Sequence, residues 1–358
     1  MPDMSRRDIH YWKCDRPAAF HGTRPRNEPS HELQEQLHQA LQDHLGTPVT
    51  LHPASGQGNH LTYFADTVEA AMFIRVENGP EQDAHLSVES RVLDLVRAAG
   101  VPTPRVLACD AGRSRLPFAW QALERIPFPD LNHWHKQGLL NASTIAFDIG
   151  ASVARWQTIR SPGFGILDDG LRGFHPAYAD YFYLRLDEHL GFLVEHRFLS
   201  PDQRGEILRE IAGHETLLNI SQGCLVHKDL ALWNILGDPD HIAAFIDFDD
   251  AISGDPMDDL SLLACFHDAA FLHRAFEGYE SQRPLPEEHL RRFWLHLLRN
   301  MIIKSVIRVG AGYFDRDDGF FLIGSGSSGS RLRETTLSRL SLALRGLREA
   351  STPAILSP

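Results

Sequence analysis

The strongest constraint on this chain is an ordered set of polar residues held between three short apolar runs. Residues 225–236 read LVHKDLALWNIL and residues 243–250 read AAFIDFDD. Leu225, Val226, Ile235 and Leu236 bracket a segment in which His227, Asp229 and Asn234 stand at fixed offsets, and the run at 243–246 then delivers Asp247. This layout suits phosphoryl transfer, which needs a carboxylate to take the proton of an attacking hydroxyl, then an amide oxygen and a second carboxylate to hold magnesium. Asp229 is the expected base. Asn234 and Asp247 are the expected ligands of Mg2+, which prefers hard oxygen donors to His or Cys. A hairpin over residues 234–241 would return the chain so that Asp247 faces the same metal. His227 is expected to hold the loop rather than act as a second base.

The protein-kinase catalytic loop reads H-R-D-L-x-x-x-N. Residues 227–234 here read HKDLALWN, differing only at the second position. With IDFD at 246–249, GDP at 254–256 and then Asp259 and Leu260, the stretch resembles the aminoglycoside phosphotransferase and choline kinase family of small-molecule kinases. The resemblance extends over residues 33 to 320, and it implies an α+β, protein-kinase-like two-lobed fold. An N-terminal five-stranded antiparallel sheet with an αC-type helix would bind ATP, and a mainly helical C-terminal lobe would carry the catalytic loop and the acceptor site. Ala231 stands where protein kinases place a lysine and many family members a histidine, and Asp249 replaces the glycine of D-F-G. Both departures argue against a protein kinase, as does the lack of an A-P-E element between residues 247 and 278.

At 358 residues the chain exceeds the size at which one core usually stays single. The expected division is an arm at 1–30, a nucleotide-binding lobe at 31–126 and a helical lobe at 127–358. The first eight residues are polar where a secretory signal would be apolar, and no stretch of about 18 apolar residues occurs, so a soluble, cytoplasmic protein is expected. Cys14, Cys109, Cys224 and Cys265 are widely spaced, which suits a reducing compartment. A net charge of -12 argues against nucleic acid as a partner. From 229 to 268 there are ten aspartates (229, 238, 240, 247, 249, 250, 255, 258, 259, 268) and no Lys or Arg. That density calls for cations, and magnesium with a positively charged small-molecule acceptor is the natural pair. Asp238 and Asp240 read as turn residues and Asp250 as solvated.

In the arm, Tyr11, Trp12 and Phe20 are the large apolar anchors, fit either to dock or to remain in a disordered tail. Ser30, the leucines at 33, 37, 41 and 45, and Gly46 spell a capped amphipathic helix. Strands follow at 49–51, 60–65 and 70–77, the first two joined by a turn containing Gly56, Gly58 and Asn59. The resemblance assigns that turn to ATP phosphates, although the full G-x-G-x-x-G is missing. Arg75 lies on the third strand. A helix over residues 83–99 carries Leu86, Leu93 and Val96 with Glu89 on the same face, so a buried Glu89 needs a cation, and Arg75 is the expected partner. The resemblance makes this the cation–glutamate pair that orients nucleotide phosphates. Strands at 106–110 and 117–126 complete the sheet, and the second resembles the strand leading to the interlobe hinge, placing the nucleotide-base contact near Gln121 and Leu123.

Beyond residue 131 helical periodicity dominates at 142–159, 178–196, 201–219 and 256–278. Residues 163–165, GFG, read as a packed loop without a catalytic role. Asp255 and Asp259 are expected to brace the catalytic loop from a helix N-terminus. His133 and His135 lack any metal-binding pattern. Asp315, Asp317 and Asp318 would meet a cationic acceptor or lie on an outer loop, ahead of a Gly/Ser connection at 324–330 and a final helix at 331–349. The reaction implied is transfer of the ATP γ-phosphate to a hydroxyl of a small molecule, an aminoglycoside or other amino alcohol leading, with choline and sugars open. A non-catalytic nucleotide-binding regulatory module of the same fold is the alternative.

Overall fold

The computed structural model describes residues 6–15, 30–54, 60–77, 85–316 and 328–356. A 3-10 turn at Arg6–Asp8 and the one-turn helix α1 (Trp12–Asp15) precede α2 (His31–Leu45). Ser30 caps α2 by accepting the Leu33 N–H at 3.1 Å. Gly46 closes it at a φ of 66°, a left-handed conformation that glycine reaches without Cβ strain. The leucine stripe buries as its spacing predicts: Leu37 and Leu41 share a cluster with Tyr63, Ile74 and Trp120 of the sheet.

That sheet contains β1 (Thr50–Pro53), β2 (Leu61–Asp66), β3 (Ala71–Val76), β4 (Val106–Asp110) and β5 (Trp120–Glu124), antiparallel throughout in the order β1-β2-β3-β5-β4. Helix α3 (His85–Ala98) follows β3 in the chain. Its Val88, Val92, Leu93 and Val96 enter the main core of the helical half, not the cluster under α2. Burial on that side therefore ties α3, and Glu89 with it, to the half that carries the catalytic loop.

The remainder runs through α4 (Leu131–Lys136), α5 (Ala142–Trp156), β6 (Phe164–Leu167), β7 (Gly173–His175), α6 (Tyr178–Tyr183), α7 (Leu186–Glu195) and α8 (Pro201–Gly213). It continues with β8 (Cys224–Val226), β9 (Ile235–Gly237), β10 (Ile242–Phe245), β11 (Ile252–Gly254), α9 (Met257–Leu263), α10 (Ala269–Glu280), α11 (His289–Gly310) and α12 (Gly329–Glu349).

Three helices expected to be continuous are broken. At 178–196 the chain turns through Arg185, whose φ of 57° no α-helix accommodates. At 201–219 α8 ends at Gly213 and only a 3-10 turn, Glu215–Leu218, follows. At 256–278 the helix restarts because Asp268 caps α10, accepting the Phe271 N–H at 3.0 Å. Apolar periodicity survives each break, which is why the sequence pattern does not reveal it. Residues 163–165 are likewise not a simple loop, since Phe164 and Gly165 open β6 in the sheet β7-β6-β11-β8. Helices α5 and α10 cross at two glycines: a Cβ on Gly150 would lie 1.8 Å from the Ala275 carbonyl oxygen, and one on Gly278 1.9 Å from that of Phe147. Among the described residues no helix is long and apolar enough to cross a membrane.

Candidate active site

The candidate catalytic loop leaves β8 and is held from beneath by one carboxylate. Asp259, on the first turn of α9, accepts the backbone N–H of His227 at 3.1 Å, that of Lys228 at 3.2 Å and the Trp156 indole N–H at 3.0 Å. These bonds hold Lys228 at a φ of 69°, a conformation a side-chain-bearing residue avoids unless its surroundings impose it. The His227 Nδ1 accepts the Asp229 N–H at 3.3 Å, so its Nε2 carries the proton and donates to the Ile246 carbonyl at 3.0 Å. His227 thus links the loop to the strand that delivers Asp247. The Lys228 ammonium is buried against Asp258 at 2.7 Å and Asn300 at 3.1 Å. Asp255 accepts from Met257 N and from Arg292, at 2.9 and 2.5 Å, so it braces α9 and α11.

Asp229 is 1% exposed. Its Oδ2 accepts from the Lys13 ammonium at 2.9 Å and from Asn234 Nδ2 at 3.2 Å, and its Oδ1 from the Lys304 ammonium at 3.2 Å. Burial by itself would raise the Asp229 pKa, but Lys13 and Lys304 outweigh it and hold the carboxyl well below the usual carboxylate range. The group is therefore an anion at any physiological pH. It can orient a hydroxyl strongly and take its proton only late in a transfer.

The hairpin β9–β10 pairs Ile235 with Phe245, and the Ile246 N–H donates to the Asn234 carbonyl at 3.0 Å. Asn234 and Asp247 therefore emerge at the same end of two paired strands. The Asn234 amide nitrogen is committed to Asp229, which leaves its Oδ1 without a donor among the described residues. Asp247 stands at a φ of 68°, and among the described residues only its Oδ1 is engaged, by Arg75 at 3.0 Å. Burial first, and then its neighbour Asp249, raises the Asp247 pKa, as expected of a carboxylate short of positive charge. One amide oxygen and one half-satisfied carboxylate fit magnesium, which keeps waters and phosphates as its remaining ligands.

Arg75 holds three carboxylates at once. Its Nη1 donates to Glu89, and its Nη2 donates to Asp247 at 3.0 Å and Asp249 at 3.1 Å. The expected Arg75–Glu89 pair is present, with Glu89 fully buried. The second arm of the guanidinium is turned onto the aspartates, where a phosphate oxygen was expected. Gly56, Gly58 and Asn59 lie outside the described residues, as do Asp317 and Asp318. Gln121 and Leu123 need a correction. β5 is flanked by β3 and β4, so their backbone groups are spent on the sheet, and the Gln121 amide donates to Ser90 at 2.8 Å. A base contact would have to come from the chain beyond Arg125, whose own N–H bonds Ala71. Asp250, read as solvated, is 5% exposed and accepts the Trp12 indole N–H at 2.8 Å. Asp238 is a turn residue as expected, accepting from Asp240 N and His241 N, both at 2.8 Å. Asp315 is exposed.

Lys13 and Lys304 are the residues that reading the sequence missed. The acidic stretch carries no cation of its own, and its countercharge arrives from segments 216 and 75 residues away in sequence. A signal was available. The chain has lysine only at 13, 136, 228 and 304, so its 35 basic residues include 31 arginines (35 − 4), and three of the four lysines meet at the catalytic loop. Where arginine is the default cation, a lysine marks a place that needs a compact charge on a flexible stem.

Comparison with known proteins places this arrangement. Residues 49–294 match the model of the phosphotransferase enzyme family. No curated protein matches the sequence. A thermostable mutant of aminoglycoside phosphotransferase APH(4)-Ia, solved in a ternary complex with AMP-PNP and hygromycin B, superposes with a TM-score of 0.61 at 17% identity, covering 87% of this chain and 98% of that one. A candidate fructosamine-3-kinase from Thermobifida fusca YX-ER1 gives 0.60 at 18% identity, covering 85% and 98%. These likenesses show the protein-kinase-like two-lobed fold, and the family match covers more than half of the chain. With that match and the five-stranded antiparallel sheet expected from the sequence, the chain belongs to the phosphotransferase enzyme family.

Proposed function

We propose that this protein is an ATP- and magnesium-dependent phosphotransferase that moves the γ-phosphoryl group to a hydroxyl of a small molecule. The observation that carries the reading is the Asn234 amide, whose nitrogen secures Asp229 while its oxygen stays free beside the half-engaged Asp247. Asn234 Oδ1 and Asp247 would hold the magnesium ion, which would supply positive charge against that of the phosphates. Asp229 accepts a hydrogen bond from the acceptor hydroxyl, aims its oxygen in line and receives its proton as the new bond to phosphorus forms. Glu89 fixes Arg75, and Arg75 in turn sets the orientation of Asp247. In this division the sheet lobe binds the nucleotide and the helical lobe binds the acceptor.

An aminoglycoside or other amino alcohol is the acceptor class we propose first, and a relative of the same fold solved with hygromycin B supports it. Both oxygens of Asp229 already face ammonium groups, so amino groups of such an acceptor would be held elsewhere in the pocket. The test is magnesium-dependent ADP release across aminoglycosides, choline, ethanolamine, homoserine and simple sugars, with Asp229→Asn as control. Release that disappears in the variant is expected. Unchanged turnover in Asp229→Asn would remove the base assignment, and MgATP binding without ADP release across the panel would favour a non-catalytic nucleotide-binding module.

A further inference from the structure

The segment 6–15 lies outside the region matched by the family model, yet it is built into the active-site wall. Ile9 and Trp12 belong to the main core of the helical half. Asp15, 4% exposed, accepts from His10 N at 2.8 Å, Tyr11 N at 3.0 Å, His189 Nε2 at 2.6 Å and Arg185 Nε at 3.1 Å. His10 stacks on Tyr181 with ring centroids 4.5 Å apart, and the Tyr181 hydroxyl donates to the His10 carbonyl at 2.8 Å. Between these anchors the Trp12 indole bonds Asp250 and the Lys13 ammonium bonds Asp229. A removable plug would not be secured this way, because its release would expose Ile9, Tyr11 and Trp12 and part Asp15 from Arg185 and His189.

Two further observations point to a ligand at this spot. The Tyr11 side chain is 2% exposed; its hydroxyl makes no hydrogen bond of regular geometry among the described residues but lies close enough to Asp229 to help keep that carboxyl ionised, and its ring is 5.3 Å from the Lys304 ammonium that bonds the same carboxylate. Lys13 is the more accessible member of its ion pair, its side chain 18% exposed against 2% for Asp229, and Asp247 is among the carboxylates that act on it. The ammonium therefore lies at the candidate base, within electrostatic range of Asp250 and of the candidate metal ligand. The catalytic loop itself has Ala231 where a protein kinase carries a lysine, so it provides no cation at that position.

We propose that Lys13 is a catalytic residue, contributed by the N-terminal segment, whose ammonium contacts the γ-phosphoryl group during transfer, with the Tyr11 hydroxyl as a second donor to that group. This rests on the phosphotransferase reading given above. In the step, a bond forms between the acceptor oxygen and the γ-phosphorus while the bond from that phosphorus to the β–γ bridging oxygen breaks. The acceptor proton passes to Asp229, and ADP leaves with the bonding electron pair. The transferring group spreads negative charge over its equatorial oxygens, and a cation held at 2.9 Å from the base is close at hand to meet that charge. A lysine suits this role because a point charge on a four-carbon stem can follow the moving phosphoryl group.

The test compares full-length wild type with Lys13→Met and Lys13→Arg. Two readouts are taken: binding of Mg·ADP with and without tetrafluoroaluminate, a probe for the transferring phosphoryl group, and ADP release from MgATP with water or an identified acceptor. Lys13→Met is expected to bind Mg·ADP within about 3-fold of wild type and to lose about 100-fold in the tightening produced by tetrafluoroaluminate. Its kcat should fall by about the same factor with little change in the KM for ATP, and Lys13→Arg should recover part of both. If Lys13→Met gives no cooperative melt, Lys13→Gln carries the same comparison. Undiminished tightening in the variant would overturn the proposal. Faster ADP release than wild type would also overturn it and mark the segment as an inhibitory plug. Wild-type protein that binds no Mg·ADP would instead overturn the phosphotransferase reading beneath it.

Discussion

The side-chain amide of Asn234 donates to Asp229 twice, to its carbonyl oxygen at 2.8 Å and to its Oδ2 at 3.2 Å. One residue thereby fixes the candidate base and turns its own oxygen outward. Asn234→Asp replaces that donor by an anion against an anion. In metal-free buffer the variant should lose about 1–3 kcal/mol of stability, the cost of an unsatisfied buried polar contact. Magnesium should restore part of the loss, because it neutralises the added charge. Melting temperatures with and without MgCl2 check this, and equal shifts for variant and wild type would remove Asn234 from the metal site.

Arg75→Lys is a severe change here in spite of the conserved charge. One ammonium cannot meet Glu89, Asp247 and Asp249 together, as the guanidinium does with two nitrogens. The expected cost is about 2–4 kcal/mol, somewhat less than deleting a buried partner outright because one charge remains. Urea denaturation measures it, and MgATP affinity should fall in parallel as Asp247 loses its orientation.

His267 should make the protein sensitive to acid. Burial first, then His135 and Arg339, pushes its pKa from 6.5 down to about 3, while its ring stacks on Phe271 at 3.8 Å. A histidine kept neutral in the fold contributes stability that is fully present above its unfolded pKa and is lost as pH falls from 6.5 towards 3. Between neutral pH and pH 5 the loss should reach about 2 kcal/mol. His267→Phe keeps the stacking and should flatten the dependence of melting temperature on pH over this interval. An unchanged slope would show that other groups carry it.

Gly278→Ala sets two effects against each other. Alanine favours the helix by about 1 kcal/mol, but its Cβ would lie 1.9 Å from the Phe147 carbonyl oxygen, inside a helix backbone that cannot yield locally. Overpacking should win, with a net loss of about 1–3 kcal/mol in chemical denaturation. A stabilised variant would mean that α5 and α10 cross farther apart than described.

What the sequence revealed here, and what it hid, follows from the range of the interactions involved. The loop from His227 to Asn234, the turn at Asp238 and the α2 caps are local, so residue type and spacing carry them directly. Arg75 with Glu89 was legible because a lone carboxylate on an apolar stripe demands a cation nearby. The broken helices at Arg185 and before Asp268 were hidden because apolar periodicity continues across each break. Asp250 looked solvated because its donor, Trp12, lies 238 residues away. The lysines at Asp229 were missed for the same reason. Charge within a window of sequence describes a site only when the site is built from that window.

The pairing of Lys13 and Lys304 on a single carboxylate also bears on how the chain matures. Asp229 cannot acquire its full complement of partners until residue 304 has left the ribosome, and Trp12 must wait for Asp250. Contacts that close loops of this length form late, after local helices and hairpins have already lowered the entropy of the chain between them. Residues 6–15, synthesised ahead of the elements they dock against, are thus among the last to settle. Until they do, Asp229 has Lys304 as its one ammonium partner and Asp250 lacks its indole donor, so the arrival of the segment completes both the fold and the charge balance around that carboxylate.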